Sequence, residues 1–261
     1  MTISAALREY AETPDRFSEI PAGGSVRRVA DERHCRLEGP DWCSVSGVSV
    51  GADELAALVE EVRERVPAEK EPAWWIGPSA RPPDLHERLE ALGLGWPRDR
   101  AALLHAVVLT HDPGGETEGV TAGRVATLEQ FAAARELQWD AFKAPERRRR
   151  RGRERFRQDF DELQRNGVPV WFVAELDGRP AGAAFAVPSA RGVFMIGGAT
   201  APWARGRGLY RALVRARWEY AVARGTPALA THAVPDTSYP ILRRLGFEDA
   251  CTLRRLQEPA R

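Results

Sequence analysis

Apolar residues along this chain change their spacing several times, and each change marks an element. Ala5 to Phe17 reads as a short helix, and Ser25 to Val50 as a set of short strands separated by Gly- and Trp-containing turns. Ala52 to Val66, ADELAALVEEVRERV, places Leu55, Leu58, Val59 and Val62 on one stripe, the pattern of an amphipathic helix. Trp74 to Gly77 predicts a strand, Pro83 to Leu92 a helix closing in Leu92-Gly93-Leu94, and Ala101 to Leu109 another strand. Asp112-Pro113-Gly114-Gly115-Glu116 then has the composition of a linker.

Beyond it, Val120 to Ala126 predicts a strand and Leu128 to Phe142 a helix with Leu128, Phe131, Leu137 and Phe142 as its apolar positions. Pro145 to Asn166 predicts a second helix. Val170 to Leu176 and Ala181 to Val187, joined by Asp177-Gly178-Arg179-Pro180, read as a hairpin. Val193 to Thr200 follows as a strand, and a helix opens at Leu209 with Leu213 and Trp218 at helical spacing. Ala230 to Val234 is a further strand. The segment from Ser238 to Glu248 is a short helix ending in Leu245-Gly246-Phe247, where Gly246 fits the left-handed residue that stops a helix.

The order helix, strand, Pro-containing loop, helix ending Leu-Gly-apolar, strand occurs at residues 52 to 109 and again at residues 207 to 256. Internal similarity of this kind points to two units of one architecture. The expected domains are residues 1–112 and 118–261, with an unrelated α/β cap as the alternative for the first.

The most informative chemistry lies between Val193 and Val214, VFMIGGATAPWARGRGLYRALV. A β-rich run breaks at Pro202, passes through Arg205-Gly206-Arg207-Gly208 and enters a helix. The two glycines let a ligand approach the backbone, and the first N–H groups of the helix point outward at its positive end. Such a turn suits a phosphate or pyrophosphate, and Arg205 and Arg207 add charge for phosphate oxygens. Neither the Walker string nor GxGxxG is present at this turn.

Thr200 to Tyr210, TAPWARGRGLY, resembles the acyl-CoA-binding signature of the GNAT superfamily of N-acetyltransferases, Q/R-x-x-G-x-G/A, with a proline three residues before the arginine. Arg205 and Gly208 match, and Tyr210 departs at the final position. The Leu245-Gly246-Phe247-Glu248 ending resembles the second recurrent motif of that family.

The resemblance covers residues 118 to 256 and implies an α/β (α+β) GNAT fold, a mixed central sheet flanked by helices, with the first half a degenerate copy lacking the phosphate turn. It implies acetyl-CoA as acyl donor, with no metal. The pantetheine arm would bond to the backbone of Gly198, Ala199 and Thr200, and the pyrophosphate to the turn Arg205, Gly206, Arg207, Gly208, Leu209 and Tyr210. Where many members carry a tyrosine acid, four positions before the Gly of Leu-Gly-Phe, this chain has Leu242, and no carboxylate occupies Val193 to Ile196. Tyr239 is then the candidate acid, with Ser238 beside it, and His232 a candidate base or relay. A lone histidine in an apolar strand is also a common structural residue.

The implied function is acyl-CoA-dependent transfer of an acetyl group to a primary amine of a small molecule or peptide. The alternatives are a non-catalytic acyl-CoA sensor and an interaction module.

Composition narrows the partners. A formal net charge of +1 gives no global field for nucleic acid or an acidic membrane. Lys70 and Lys143 are the only lysines, which we read as the coding bias of a GC-rich, bacterial-like genome; it lowers the weight of any one arginine. The eight arginines from Arg147 to Arg157 fit a solvated helix face, or a site for an acidic group or the 3′-phosphate of CoA. Cys35, Cys43 and Cys251 lack metal spacing and read as reduced thiols. The first residues carry no signal core and no run reaches the length of a membrane span, so the expectation is a soluble cytoplasmic protein, monomer or homodimer.

Overall fold

The computed structural model describes residues 3–21, 23–97 and 101–259. They form two compact units, one of residues 1–108 together with 232–261, the other of residues 109–231. The sequence division at the Asp112–Glu116 segment falls close to the first of these boundaries, whereas the last part of the chain, from His232, packs with the first unit.

In the first unit the elements are α1 (Ala5–Glu12), β1 (Arg27–Ala30), β2 (Cys35–Glu38), β3 (Cys43–Ser46), α2 (Leu55–Arg65), β4 (Ala73–Ile76), α3 (Leu85–Ala91), β5 (Leu103–Leu109), α8 (Ser238–Arg244) and β11 (Glu248–Gln257). Single-turn 3-10 helices follow α1 and α2. β1, β2 and β3 are antiparallel, β3 and β4 parallel, and β11 is antiparallel to both β4 and β5. The stripe Leu55, Leu58, Val59 and Val62 of α2 is fully buried against Val45, Trp74, Leu85 and Leu89. Burying each such side chain contributes about 1.5–3 kcal/mol.

The two short helices end alike. Gly93 (φ +91°) and Gly246 (φ +90°) take the left-handed conformation. The next N–H in each case reaches back into the helix, Leu94 to the Leu89 carbonyl at 3.0 Å and Phe247 to the Leu242 carbonyl at 3.1 Å. The echo read from the sequence is therefore present as matching element order, α2-β4-α3-β5 and the later helix-strand-helix-strand run, with matching helix ends.

In the second unit come β6 (Val120–Arg124), α4 (Leu128–Ala141), α5 (Glu146–Glu154), α6 (Phe156–Asn166), β7 (Val170–Leu176), β8 (Arg179–Ser189), β9 (Gly192–Thr200) and α7 (Leu209–Ala223). β10 (Leu229–Ala233) carries the chain from this unit into the first, between Thr231 and His232. β6 to β9 form an antiparallel meander, and β10 pairs with β9 in parallel. β8 alternates two kinds of surface. Ala183 and Phe185 share a face with Val173 and Trp171 and with the apolar side of α4. Gly182, Ala184 and Ala186 are small and lie on the other face, where α7 packs closely enough that Leu213 stands 3.2 Å from a β-carbon built on Gly182.

Three sequence expectations change in detail. The helix expected over Pro145–Asn166 breaks at Arg155, and Gly152 lets α5 approach Trp139, since a β-carbon there would stand 2.3 Å from the indole. Phe142 lies just past the end of α4 and is exposed. The hairpin turn shortens to Asp177 and Gly178, both at positive φ, so β8 starts at Arg179. No helix among the described residues is long and apolar enough to cross a membrane.

Candidate acyl-CoA site

β9 loses its regular ladder halfway along. Opposite Ala183–Phe185 of β8, the β9 register jumps from Ala199 to Ile196, so Gly197 and Gly198 stand against one residue. This is a β-bulge, and Gly197 adopts φ +61° to make it. The Gln138 side chain of α4 donates to the Gly197 carbonyl at 2.6 Å. Pairing with β10 is confined to Val193 and Phe194, followed by a bond from the Thr231 hydroxyl to the Met195 carbonyl. From the bulge to Thr200, β9 therefore has only β8 as ladder partner among the described residues, and its other edge is open to an extended ligand.

The strand then runs through a 3-10 turn, Pro202–Ala204, into Arg205 and the start of α7. Gly206 (φ +76°) and Gly208 (φ +83°) are both left-handed, and nothing lies within 4 Å of a β-carbon built on Gly206. Gly208 is the N-cap of α7, which has no side-chain cap and no acidic residue in its first turn. The first backbone bond into the helix runs from Ala212 N–H to the Gly208 carbonyl. The N–H groups of Gly206, Arg207, Gly208, Leu209 and Tyr210 consequently find no acceptor among the described residues. Successive outward N–H groups in alternating conformations at a helix start form an anion-binding concavity. On its other side Gly208 abuts Thr117, and Glu116 pairs with Arg215 of α7 at 3.2 Å. The segment read as a linker is thus laid along the first turns of this helix.

The matching turn of the first unit, between β3 and α2, is built differently. The Glu54 carboxylate accepts the Gly51 N–H at 2.8 Å, and the Ser49 and Val50 N–H groups bond to the Arg33 and Arg81 carbonyls. The Gly51 N–H is thus occupied by a carboxylate of the turn itself, and Asp53 and Glu54 replace the arginines.

The structure places the remaining sequence candidates in the first unit. The Tyr239 hydroxyl donates to Asp249 Oδ2 at 3.0 Å, and its ring stacks on His105 at 4.0 Å between centroids. Arg243 lies 3.5 Å from the same carboxylate. The bond to Asp249 holds the Tyr239 phenol above its ordinary pKa. Ser238 Oγ accepts the Val234 N–H at 2.9 Å, bracing the start of α8. His232 Nε2 donates to the Ala11 carbonyl at 2.8 Å, its ring rests on Trp75, and burial pushes its pKa down to about 4. Leu242, at the family's tyrosine position, is a core residue. His105 and Gln138 escape sequence reading because their partners, Tyr239 and Gly197, lie far along the chain, and Asp249 because its bond to Tyr239 spans a helix end and a strand start.

The arginine run is partly structural. Arg149 ties α5 to Asp140 and to the Trp139 and Ala144 carbonyls, Arg153 pairs with Glu136 and Glu146, and Arg155 with Asp159. Burial raises the thiols of Cys35 to about 11 and of Cys43 and Cys251 to about 12, so they stay protonated. Among the described residues no group of His, Cys, Asp or Glu is placed to hold a metal.

The fold is that of the GNAT acetyltransferases. A GCN5-related N-acetyltransferase from Kribbella flavida superposes with a TM-score of 0.67 at 20% identity, over 99% of this chain and 96% of that one. A tandem GNAT protein from the clavulanic acid biosynthesis pathway gives 0.58 at 16% identity, over 99% and 89%. A GCN5-related N-acetyltransferase from Sphaerobacter thermophilus gives 0.56 at 19% identity, over 98% and 85%. Residues 131–247 match the acetyltransferase (GNAT) family model. No curated protein matches the chain.

Proposed function

We propose that the second unit binds acetyl-CoA and that the chain transfers its acetyl group to a primary amine of a small molecule or peptide. The observation that carries this reading is the run of N–H groups from Gly206 to Tyr210 without acceptors among the described residues, continuous in sequence with the open edge of β9. The run suits a diphosphate, and the open edge suits the amide groups of pantetheine at Gly198, Ala199 and Thr200. A backbone N–H at the bulge would stabilise the oxyanion as the amine nitrogen adds to the thioester carbon. Collapse of that intermediate breaks the C–S bond, the thiolate takes a proton, and the nitrogen loses one.

In this reading Tyr239 supplies the proton, oriented by Asp249, with Ser238 beside it. His232 is neutral near pH 7 and tied to Ala11, which suits a relay better than a free base. The carboxylates of Asp53 and Glu54 at the turn between β3 and α2, where the other turn carries arginines, support a first half without nucleotide binding. Acetyl-CoA as donor also favours a cytoplasmic enzyme, monomeric or homodimeric.

A non-catalytic acyl-CoA sensor is the second reading, favoured by Leu242 in the core and by the Tyr239 proton held on Asp249. Calorimetry with acetyl-CoA tests the site: binding by the natural chain that is lost in Gly208→Asp is expected, and binding indifferent to that change rejects the assignment. Release of free thiol across an amine panel separates enzyme from sensor.

A further inference from the structure

Trp203 is 50% exposed although Ala201 and Ala204, which bracket the Pro202-Trp203 pair, are buried. The backbone is pinned while the indole projects outward, two residues ahead of Arg205. The ring is held in place by the Arg179 guanidinium, whose carbon lies 4.2 Å from the ring centroid. Arg179 in turn follows the tight Asp177-Gly178 turn at the start of β8, so the clamp is mounted on a hairpin. A cation over one face fixes the orientation of an aromatic ring and leaves the rest of its surface for a second planar group.

The surroundings are polar. Pro202, Arg205, Gly206 and Arg207 are all exposed, so no contiguous apolar patch of the kind a protein partner would cover surrounds the indole. Arg179, Arg205 and Arg207 form no ion pair with a carboxylate among the described residues, in contrast to Arg149, Arg153, Arg155 and Arg215 of the same unit. An aromatic surface, unneutralised guanidinium groups and the outward N–H run of Gly206 to Tyr210 thus follow one another along a few residues of chain. Trp203 stands three residues before Gly206, a stretch of chain that reaches about 10 Å at most.

We propose that Trp203, clamped by Arg179, is the stacking platform for the adenine of coenzyme A, and that Arg179 binds the 3′-phosphate of its ribose. The proposal rests on the turn at Gly206–Tyr210 taking the diphosphate, and it assigns the nucleotide end of the ligand, for which the sequence motif holds no residue. Discrimination between the whole coenzyme and its pantetheine portion then resides in these two side chains, outside the reacting groups.

Calorimetry on the full chain with acetyl-CoA, 3′-dephospho-acetyl-CoA and acetyl-4′-phosphopantetheine, which lacks the adenosine, tests it. Removing an aromatic platform under a base weakens binding by about tenfold or more. Trp203→Ala is expected to weaken acetyl-CoA by that factor and leave the phosphopantetheine thioester unchanged, with Trp203→Phe restoring most of the loss. Arg179→Ala is expected to weaken acetyl-CoA more than the dephospho form. Melting temperatures of these surface variants should match the natural chain. Equal affinity of Trp203→Ala and the natural chain for acetyl-CoA overturns the platform, as does a loss shared equally by the adenosine-free ligand. If the natural chain binds acetyl-CoA but Gly208→Asp binds it equally well, the turn assignment fails instead, and the two failures are told apart.

Discussion

The ring of Tyr210 lies against the backbone of Gly198: a β-carbon built on Gly198 would stand 2.7 Å from Tyr210 Cε2. Tyr210 is the position where the turn departs from the small residue of the GNAT signature, and Gly198 is the bulge residue expected to face the thioester. The large residue on α7 is accommodated by the absence of a side chain on β9. Burial raises the Tyr210 phenol above its ordinary pKa, with Arg217 acting in the opposite sense, so the ring is a neutral packing element near pH 7.

The pair should therefore be coupled. Gly198→Ala alone is expected to lower the melting temperature and weaken acetyl-CoA binding, because the ring or the strand must move. Adding Tyr210→Gly should recover much of that loss, giving an interaction energy of about 1 kcal/mol or more in a double-mutant cycle. Strictly additive effects would show that the contact carries no weight.

Gln138 fixes the carbonyl at the bulge, and through it the direction of the next N–H. Gln138→Ala removes one hydrogen bond, a loss of about 1 kcal/mol in stability. If the bulge N–H steadies the oxyanion, kcat should fall severalfold while KM for acetyl-CoA changes little. A change confined to stability would leave Gln138 a purely structural tie.

Tyr239 and Asp249 give a pH prediction. The carboxylate holds the phenol pKa up, and an acid must be protonated to act, so activity is lost as pH rises through that pKa. Asp249→Asn removes the charge that raises it and should move the alkaline limb of the kcat profile to lower pH. Tyr239→Phe should lower turnover with acetyl-CoA affinity unchanged. An alkaline limb unmoved by Asp249→Asn would take Tyr239 out of the acid role.

His232 contributes to acid sensitivity of the fold. Its folded pKa of about 4 is below the unfolded value near 6.5, so the unfolded chain binds the proton first. The associated stability, of order 3 kcal/mol, is fully present above about pH 6.5 and is lost as pH falls toward 4. Denaturant titrations from pH 7 to 4 should show this slope, and His232→Gln should flatten it.

Much of this was legible from local pattern. Apolar spacing located α2, α4 and α7, the Leu-Gly endings located two left-handed helix stops, and the turn glycines marked the bend where successive N–H groups find no acceptor among the described residues, because each is written in residues close together along the chain. Other features depend on residues brought together from afar. That Tyr210 fits only because Gly198 is bare, that Gln138 holds the bulge, that the Tyr239 proton points at Asp249, and that β11 enters between β4 and β5 were decided by tertiary packing. Periodicity states which face of an element is buried but not what it is buried against, and a hydrogen bond between residues 138 and 197 leaves no mark at either position alone.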